Sequence, residues 1–208
     1  MSTSENMDIE LIREVNRLWS PIYLGIARQV ASHMRVTPQE ILEIGCFSGG
    51  IGLTLLTLFP SCSLTVALDN EELAHTFGLD WIDLTGKTDP PRIRSVHTPL
   101  VPLDIPDDSH ELVICRGIFF FLDPEGVLLR EIDRVIKPGG LAFVGGGYGT
   151  DTPQDFIDLI ADESRSLNQA LGKQFVSKEQ FRAALDSAGL TDRSYIVEEG
   201  GLWAVIRK

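Results

Sequence analysis

Apolar positions along the chain change from helical spacing to strand spacing near residue 40. Residues 8–34 place apolar side chains three or four positions apart with a break at Pro21, which predicts two helices before the first strand. Short apolar runs follow, as is typical of strands covered on both faces, at 41–44, 63–68, 92–97, 112–115 and 141–144. Near the C-terminus two further runs, 194–198 and 202–207, are joined by glycines and predict a hairpin.

Helical patterns separate these strands, at 52–58, from Glu71 onward, and at 124–136, 153–170 and 178–188. The third of these helices carries Pro near its start and ends at Lys137-Pro138-Gly139-Gly140, which reads as a turn before the next strand. This alternation predicts an α/β domain with a mostly parallel sheet and a C-terminal antiparallel hairpin strand. Ligands of such sheets bind at the carboxyl ends of the strands, so function is expected just after these ends.

Composition limits the classes of function. The 208 residues include 18 Lys and Arg against 30 Asp and Glu, a net charge of −12, and 43% are hydrophobic. This length suits one soluble domain. An acid excess argues against a broad nucleic-acid footprint and against docking on anionic lipid, because both depend on clustered Lys and Arg.

Cysteine use and segment lengths address location and metals. Cys46, Cys62 and Cys115 are odd in number and have no CxxC spacing, which indicates thiols of a reducing compartment and no metal site. The acidic N-terminus is not a signal peptide, and the longest apolar stretches are too short to span a membrane. We therefore expect a cytoplasmic protein without a bound metal.

A glycine-bearing turn joins the first predicted strand to a helix. Its sequence, residues 43–50, is Glu-Ile-Gly-Cys-Phe-Ser-Gly-Gly, and Phe47 breaks the dinucleotide pattern GxGxxG. Glu43 suits a ligand with an ammonium group better than a pyrophosphate, which it would repel. A tight turn with no ligand is the alternative.

Asp69 ends the second predicted strand. A carboxylate at this point can accept hydrogen bonds from both hydroxyls of a ribose. Alternatively, Asp69 only caps the helix that begins at Glu71.

Further motifs extend this pattern to residue 140. They are Asp-Asp-Ser-x-Glu-Leu-Val-Ile at 107–114 and Arg-Val-Ile-Lys-Pro-Gly-Gly at 134–140. Together with the turn and Asp69, they resemble class I S-adenosylmethionine-dependent methyltransferases over about residues 40–147. The likeness is greatest to the small-molecule branch typified by the ubiquinone/menaquinone methyltransferases. It implies a single Rossmann-like domain with a seven-stranded sheet, in which residues 1–38 are helices capping the active site and residues 39–208 bind the cofactor.

The resemblance also assigns cofactor contacts to individual residues. Those implied to bind S-adenosylmethionine, with S-adenosylhomocysteine as product, are Glu43, Gly45, Cys46, Phe47, Gly49, Asp69, Asn70, Thr98, Arg116 and Gly117. Glu43 and the glycines would hold the methionine end, Asp69 the ribose, and Arg116 with Gly117 the floor below the sulfonium. Two departures stand out: most relatives have glycine at Phe47, and no acid follows the third strand, so Thr98 or a carbonyl would meet the adenine.

Candidates for acceptor binding are mostly aromatic. Trp19, Tyr23, Phe119 and Tyr148 are candidates for the acceptor pocket, with plain core packing as the alternative. A general base is needed only if the accepting atom holds its proton too tightly, and His97 and Tyr148 are the candidates. A capping role for His97 and a flexible turn at Tyr148 are the alternatives.

The leading prediction is therefore a methyltransferase that acts on a small molecule by in-line transfer. The alternatives are a regulatory module that binds the cofactor without catalysis, and a nicotinamide-dependent oxidoreductase. Residues 69–111 hold ten acids against three bases, and residues 151–163 hold five acids and no base. These stretches predict a neutral or cationic acceptor, unless their carboxylates point away from the cleft.

Overall fold

The structure is a computed structural model that describes residues 7–85 and 92–208. In these residues one seven-stranded sheet has the order β3-β2-β1-β4-β5-β7-β6. The strands are β1 (Glu40–Ile44), β2 (Ser63–Leu68), β3 (Ile93–His97), β4 (His110–Arg116), β5 (Ile136–Gly147), β6 (Ser194–Val197) and β7 (Gly201–Arg207). The helices are α1 (Ile9–Trp19), α2 (Tyr23–Ser32), α3 (Gly50–Leu58), α4 (Glu71–Thr85), α5 (Val127–Val135), α6 (Gln154–Ala170) and α7 (Lys178–Ser187).

The sheet is parallel except at its C-terminal edge. Strands β1 to β5 pair in parallel, whereas β7 runs antiparallel to both β5 and β6. The predicted α/β fold with a C-terminal antiparallel hairpin is confirmed. Strand order reverses between β1 and β4, and ligands of such sheets bind at that reversal.

Two helices precede the sheet, as predicted. Asp8 begins α1 by accepting hydrogen bonds from the amides of Glu10 and Leu11. Pro21 lies in a single 3₁₀ turn between α1 and α2, where its missing amide donor costs no helical hydrogen bond. In the described part of the chain α1 packs against α6 and α2 against α3, so the N-terminal helices lie over the carboxyl edge of the sheet.

The region around α5 differs from the prediction. The helix begins at Val127 rather than at residue 124, because the Asp123 side chain accepts from the Val127 amide and Gly126 before it is left-handed. The Lys-Pro-Gly-Gly segment is not a turn before β5 but a bulge inside it. Ladder pairing jumps from His110–Ile136 to Leu112–Leu141, so Glu111 faces four residues of β5. Lys137 anchors the bulge by an ion pair of 2.6 Å with Glu111.

Parts of two sequence predictions lie outside the described residues: 1–6 of the N-terminal helical segment and 86–91 of the acidic stretch 69–111. Across the described ranges no helix is long and apolar enough to cross a membrane. Within the same ranges no group of three or more His, Cys, Asp or Glu side chains is placed to hold a metal ion.

Candidate functional site

The glycine turn after β1 depends on left-handed backbone. Gly45 and Gly49 have φ of +101° and +112°, which residues with a side chain rarely adopt. The Gly45 amide donates to Ala67 on β2, and the Ser48 amide donates back to the Gly45 carbonyl. The turn is therefore tied to the carboxyl end of β2 and leads directly into α3.

Glu43 lies fully buried below this turn. Its Oε2 accepts a hydrogen bond of 2.7 Å from the Gly52 amide in the first turn of α3. Burial raises the Glu43 pKa to about 7, opposed by the α3 amides and by Arg116. Oε1 of the same carboxyl has no hydrogen-bond partner among the described residues. A buried carboxylate with one unused oxygen fits the ammonium group that the resemblance assigns to it.

Asp69 and Asn70 follow β2 at the neighbouring strand end, and both are buried. The Asn70 side chain accepts from the Leu73 amide at 3.0 Å, so Asn70 caps α4 in the way proposed for Asp69. Burial, followed by the charge of Asp69, raises the pKa of Cys115 to about 12. The Asp69 carboxylate, which follows β2, is therefore near enough to influence the Cys115 thiol on β4.

A first cavity of about 600 Å³ opens beside the turn. It is lined by α1 on one side and by Cys46, Ser48, Gly49 and Leu68 on the other. The Ser48 hydroxyl is buried without a hydrogen-bond partner in the described chain. This volume is within the range of small-molecule sites, and the residues fit S-adenosylmethionine.

A second cavity of about 270 Å³ lies next to it, at the ends of β4 and β5. Its aromatic lining comprises Trp19, Phe119, Phe120 and Tyr148, and its polar lining comprises Arg116, Ser164, Asn168 and Lys173. The Arg116 guanidinium carbon lies 3.6 Å from the centroid of the Trp19 ring. The Trp19 indole donates a hydrogen bond of 2.8 Å to the Ser164 hydroxyl.

Two aromatic rings, Phe47 and Tyr23, pack close to the second cavity. Phe47 is buried, with its ring centroid 4.6 Å from Phe120 and 5.6 Å from Trp19. A Cβ at Gly117 would come within 2.9 Å of the same ring. Tyr23 lines the first cavity, and its ring centroid lies 5.9 Å from the Arg116 guanidinium carbon in the second. Phe47, in the turn after β1, therefore supplies a buried ring behind the lining of the second cavity.

The structure brings together most of the residues selected from sequence, but not all. Three of the four aromatic candidates for the acceptor pocket line the second cavity, whereas Tyr23 lines the first. His97 is exposed on edge strand β3, three strand spacings or about 14 Å from β4, so it is removed from the second cavity. Tyr148 is the general-base candidate that remains there.

Thr98 has a local role. Its hydroxyl donates to the Pro99 carbonyl at 3.1 Å and accepts from the Asp104 amide at 2.7 Å. These bonds hold the loop after β3, and they leave only one hydroxyl lone pair for a ligand. The adenine contact at Thr98 stays a prediction.

The acidic stretch at 151–163 does not face the second cavity. All five of its acids are exposed on α6 and on the turn before it. Among the described residues that line the second cavity there is no carboxylate. Residues 151–163 therefore give no support to a neutral or cationic acceptor, because their carboxylates meet the stated exception of pointing away from the cleft.

Several lining residues were missed in the sequence. Arg13, Asn16 and Arg17 of α1 line the first cavity, and Ser164, Asn168 and Lys173 line the second. A signal for two of them exists in α6, where Ser164 and Asn168 follow Ile160 at intervals of four residues on the buried face. Polar side chains on the buried face of a helix need hydrogen-bond partners, so their presence there indicates a candidate ligand site.

Comparisons with known proteins agree with this geometry. Residues 42–144 match the family model of a methyltransferase domain. The malonyl-[acyl-carrier protein] O-methyltransferase of Geobacter sulfurreducens is 28% identical over 161 residues, which cover 74% of this chain and 56% of that protein. The chain spans about half the length of the curated relatives it matches.

Solved structures show the same fold. A Methanococcus maripaludis protein assigned to the S-adenosylmethionine-dependent methyltransferases superimposes with a TM-score of 0.77 and 24% identity, over 100% of this chain and 97% of that one. Human N-acetylserotonin methyltransferase, solved with S-adenosylmethionine, gives a TM-score of 0.66 and 17% identity, over 100% of this chain and 60% of that one. Residues 42–144 therefore match a methyltransferase domain, and the glycine turn and strand order belong to the fold that these solved structures share.

Proposed function

We propose that this protein transfers the methyl group of S-adenosylmethionine to a small molecule bound in the second cavity. The observation that carries the proposal is the pair of cavities at the strand reversal, one framed by the glycine turn and the other by aromatic side chains. The narrower resemblance to the ubiquinone/menaquinone branch remains a prediction. A cytoplasmic location is part of the proposal, supported by three buried free thiols.

The first cavity and the buried carboxyls at the adjoining strand ends would hold the cofactor. The Asp69 carboxylate would accept hydrogen bonds from the ribose hydroxyls, and Glu43 would accept from the ammonium group, although neither side chain lines the cavity directly. Amides of the turn at 45–49 approach the methionine end, because glycine leaves the backbone uncovered there. S-adenosylmethionine, when bound, supplies an electrophilic methyl group on a sulfonium.

The remaining work of the chain is alignment and the exclusion of water. The N-terminal helices, residues 1–38 in our division of the chain, cap the site, and α1 contributes directly to the first cavity. Tyr148 takes the proton of the acceptor if the accepting atom carries one. Its half-buried side chain lines the second cavity.

Calorimetric titration tests the proposal and its alternatives together. We expect S-adenosylmethionine and S-adenosylhomocysteine to bind and NADH not to bind. Asp69→Ala should weaken binding by about 1–3 kcal/mol through the loss of ribose hydrogen bonds, whereas the exposed acid Asp192 gives a control variant, Asp192→Ala, without effect.

Other outcomes would favour the competing functions. Binding of NADH alone would indicate an oxidoreductase, and no binding at millimolar concentration would indicate a regulatory module. Unchanged affinity in Asp69→Ala would refute the ribose contact. A screen of cell extracts for incorporation of labelled methyl groups would then identify the acceptor.

A further inference from the structure

Arg116, at the end of β4, is a buried cation whose hydrogen-bonding capacity is mostly unused. It is 4% exposed, and its Nη2 donates one long hydrogen bond of 3.4 Å to the Gly147 carbonyl. Nε and Nη1 have no partner among the described residues. Burial lowers its pKa to about 10, which leaves the guanidinium charged at neutral pH. A buried charge is costly unless it is paired, so this one calls for an anion.

Lys173 adds a second positive charge at the rim of the same cavity. Lys173 is exposed at its surface side, and the loss of solvent on its cavity side together with repulsion by Arg116 lowers the Lys173 pKa. In the described residues neither side chain forms an ion pair. Glu43 acts on the Arg116 charge without forming a hydrogen bond to it, since its Oε2 accepts from the Gly52 amide and its Oε1 has no partner among the described residues.

The rest of the second cavity suits an apolar body. Phe119 and Phe120 supply apolar walls, and the Trp19 ring covers one face of the guanidinium while leaving its edge available. The guanidinium edge is a planar fork of donors that matches a carboxylate in geometry. An aromatic or aliphatic molecule with one carboxylate complements both the apolar walls and the paired cations.

Accordingly, we propose that the methyl acceptor carries a carboxylate, which Arg116 and Lys173 bind in the second cavity. This inference rests on the methyltransferase function proposed above. The methionine end of the cofactor also carries a carboxylate, but the first cavity has a cation of its own, Arg17, beside Arg13, which is paired with Glu10. Arg116 lines the second cavity and not the first, and the Tyr23 ring, which lines the first, lies 5.9 Å from the guanidinium carbon; this assigns the guanidinium to the acceptor rather than to the cofactor.

Titrations with three aromatic probes of similar shape test the assignment. Benzoate, benzamide and benzylamine are titrated into the protein saturated with S-adenosylhomocysteine. We expect benzoate to bind about ten- to a hundredfold more tightly than benzamide, and benzylamine to bind most weakly, because charge-assisted hydrogen bonds are stronger than neutral ones. Equal binding of benzoate and benzamide would overturn the inference.

Three variants locate the effect. Arg116→Gln should abolish the preference for benzoate, and Lys173→Gln should reduce it about three- to fivefold. Arg165→Gln removes an exposed cation of α6, paired only with Asp162 among its described contacts, and should leave the preference unchanged. Thermal unfolding checks that Arg116→Gln folds. If Arg116→Gln does not fold, Lys173→Gln supplies an independent test, because Lys173 is an exposed residue at the rim of the cavity.

Affinity for S-adenosylhomocysteine separates the two sources of a carboxylate. We expect Arg116→Gln to bind it as the wild type does. A tenfold or greater loss, with no benzoate preference in the wild type, would assign Arg116 to the cofactor and refute the inference. If the wild type does not bind S-adenosylhomocysteine at all, the proposed function fails, and the benzoate preference is then measured on the protein alone.

Discussion

The two cavities at the strand reversal differ in which part of the chain forms them. The first is framed on one side by a local segment, the turn between β1 and α3, and its sharpest features are backbone ones, the left-handed Gly45 and Gly49. The second is formed by side chains brought from distant positions, including Trp19 on α1, Arg116 after β4 and Lys173 after α6. A common cofactor needs a constant backbone surface, whereas an individual acceptor needs particular side chains.

The two cavities also differ in the buried charge that lies next to each. Below the first cavity lies a buried carboxyl, Glu43, with one unused oxygen, and in the second lies a buried guanidinium, Arg116, with two unused nitrogens. Each charge suits a ligand group of the opposite sign. The net charge of −12 is therefore a property of the outer surface and does not describe the charge of either cavity.

The largest expected effect comes from removing the buried ring that packs behind the second cavity. Phe47→Ala deletes a buried ring in contact with Trp19 and Phe120, and should lower the free energy of unfolding by about 3–5 kcal/mol. The control is Phe175→Ala, since the Phe175 side chain is 90% exposed and its loss should change stability by less than about 0.5 kcal/mol. Denaturant unfolding measures both. Equal free energies of unfolding for Phe47→Ala and Phe175→Ala would show that Phe47 does not pack as a buried ring.

The turn side of the first cavity could be predicted because its signals lie close together in the sequence, whereas the side formed by α1 could not. Strand β1, the glycines after it and Asp69 after β2 follow from short patterns, and the structure places them at neighbouring strand ends. The sequence offers a helix cap at Asp69 only as the alternative to a ribose contact, and the structure gives a cap at its neighbour Asn70, because both residue types are good caps and the fold decides which one is used.

The second cavity could be predicted only in part. The patterns predict Trp19, Phe119 and Tyr148 as aromatic candidates, but nothing in the sequence indicates that no carboxylate is hydrogen-bonded to Arg116 or lines its cavity. Whether a charge is paired depends on which strands and helices meet, which is a property of tertiary structure. For the same reason, counting acids in residues 151–163 could not show that they point outward.

Glu43→Gln tests the negative one of the two buried charges. Burial raises the Glu43 pKa from 4.5 to about 7, so the folded state holds the proton more tightly than the unfolded state. The contribution of Glu43 to the free energy of unfolding is therefore present below about pH 4.5 and is lost as the pH rises to about 7. Across that window the wild type should lose up to about 3 kcal/mol of stability relative to Glu43→Gln.

The difference between the two proteins is the quantity to measure, because another group titrates in the same window. Burial lowers the His110 pKa from 6.5 to about 4, and this raises stability as the pH rises. Denaturant unfolding at several pH values gives both profiles, and the exposed Glu163→Gln serves as a control that follows the wild type. Parallel profiles for wild type and Glu43→Gln would contradict the raised pKa.

The smallest expected effect concerns the support of Arg116 by α1. Trp19→Phe retains a ring near the guanidinium but removes the indole donor of the 2.8 Å hydrogen bond to Ser164. We expect a loss of about 1 kcal/mol in the free energy of unfolding. Combining this change with Ser164→Ala in a double-mutant cycle should recover a coupling of similar size, since both single changes break the same hydrogen bond.

Because a ring still covers the guanidinium, benzoate affinity should fall less in Trp19→Phe than in Trp19→Leu, which leaves no ring for the cation to contact. Equal losses in both variants would mean that the Trp19 ring fills space without positioning Arg116.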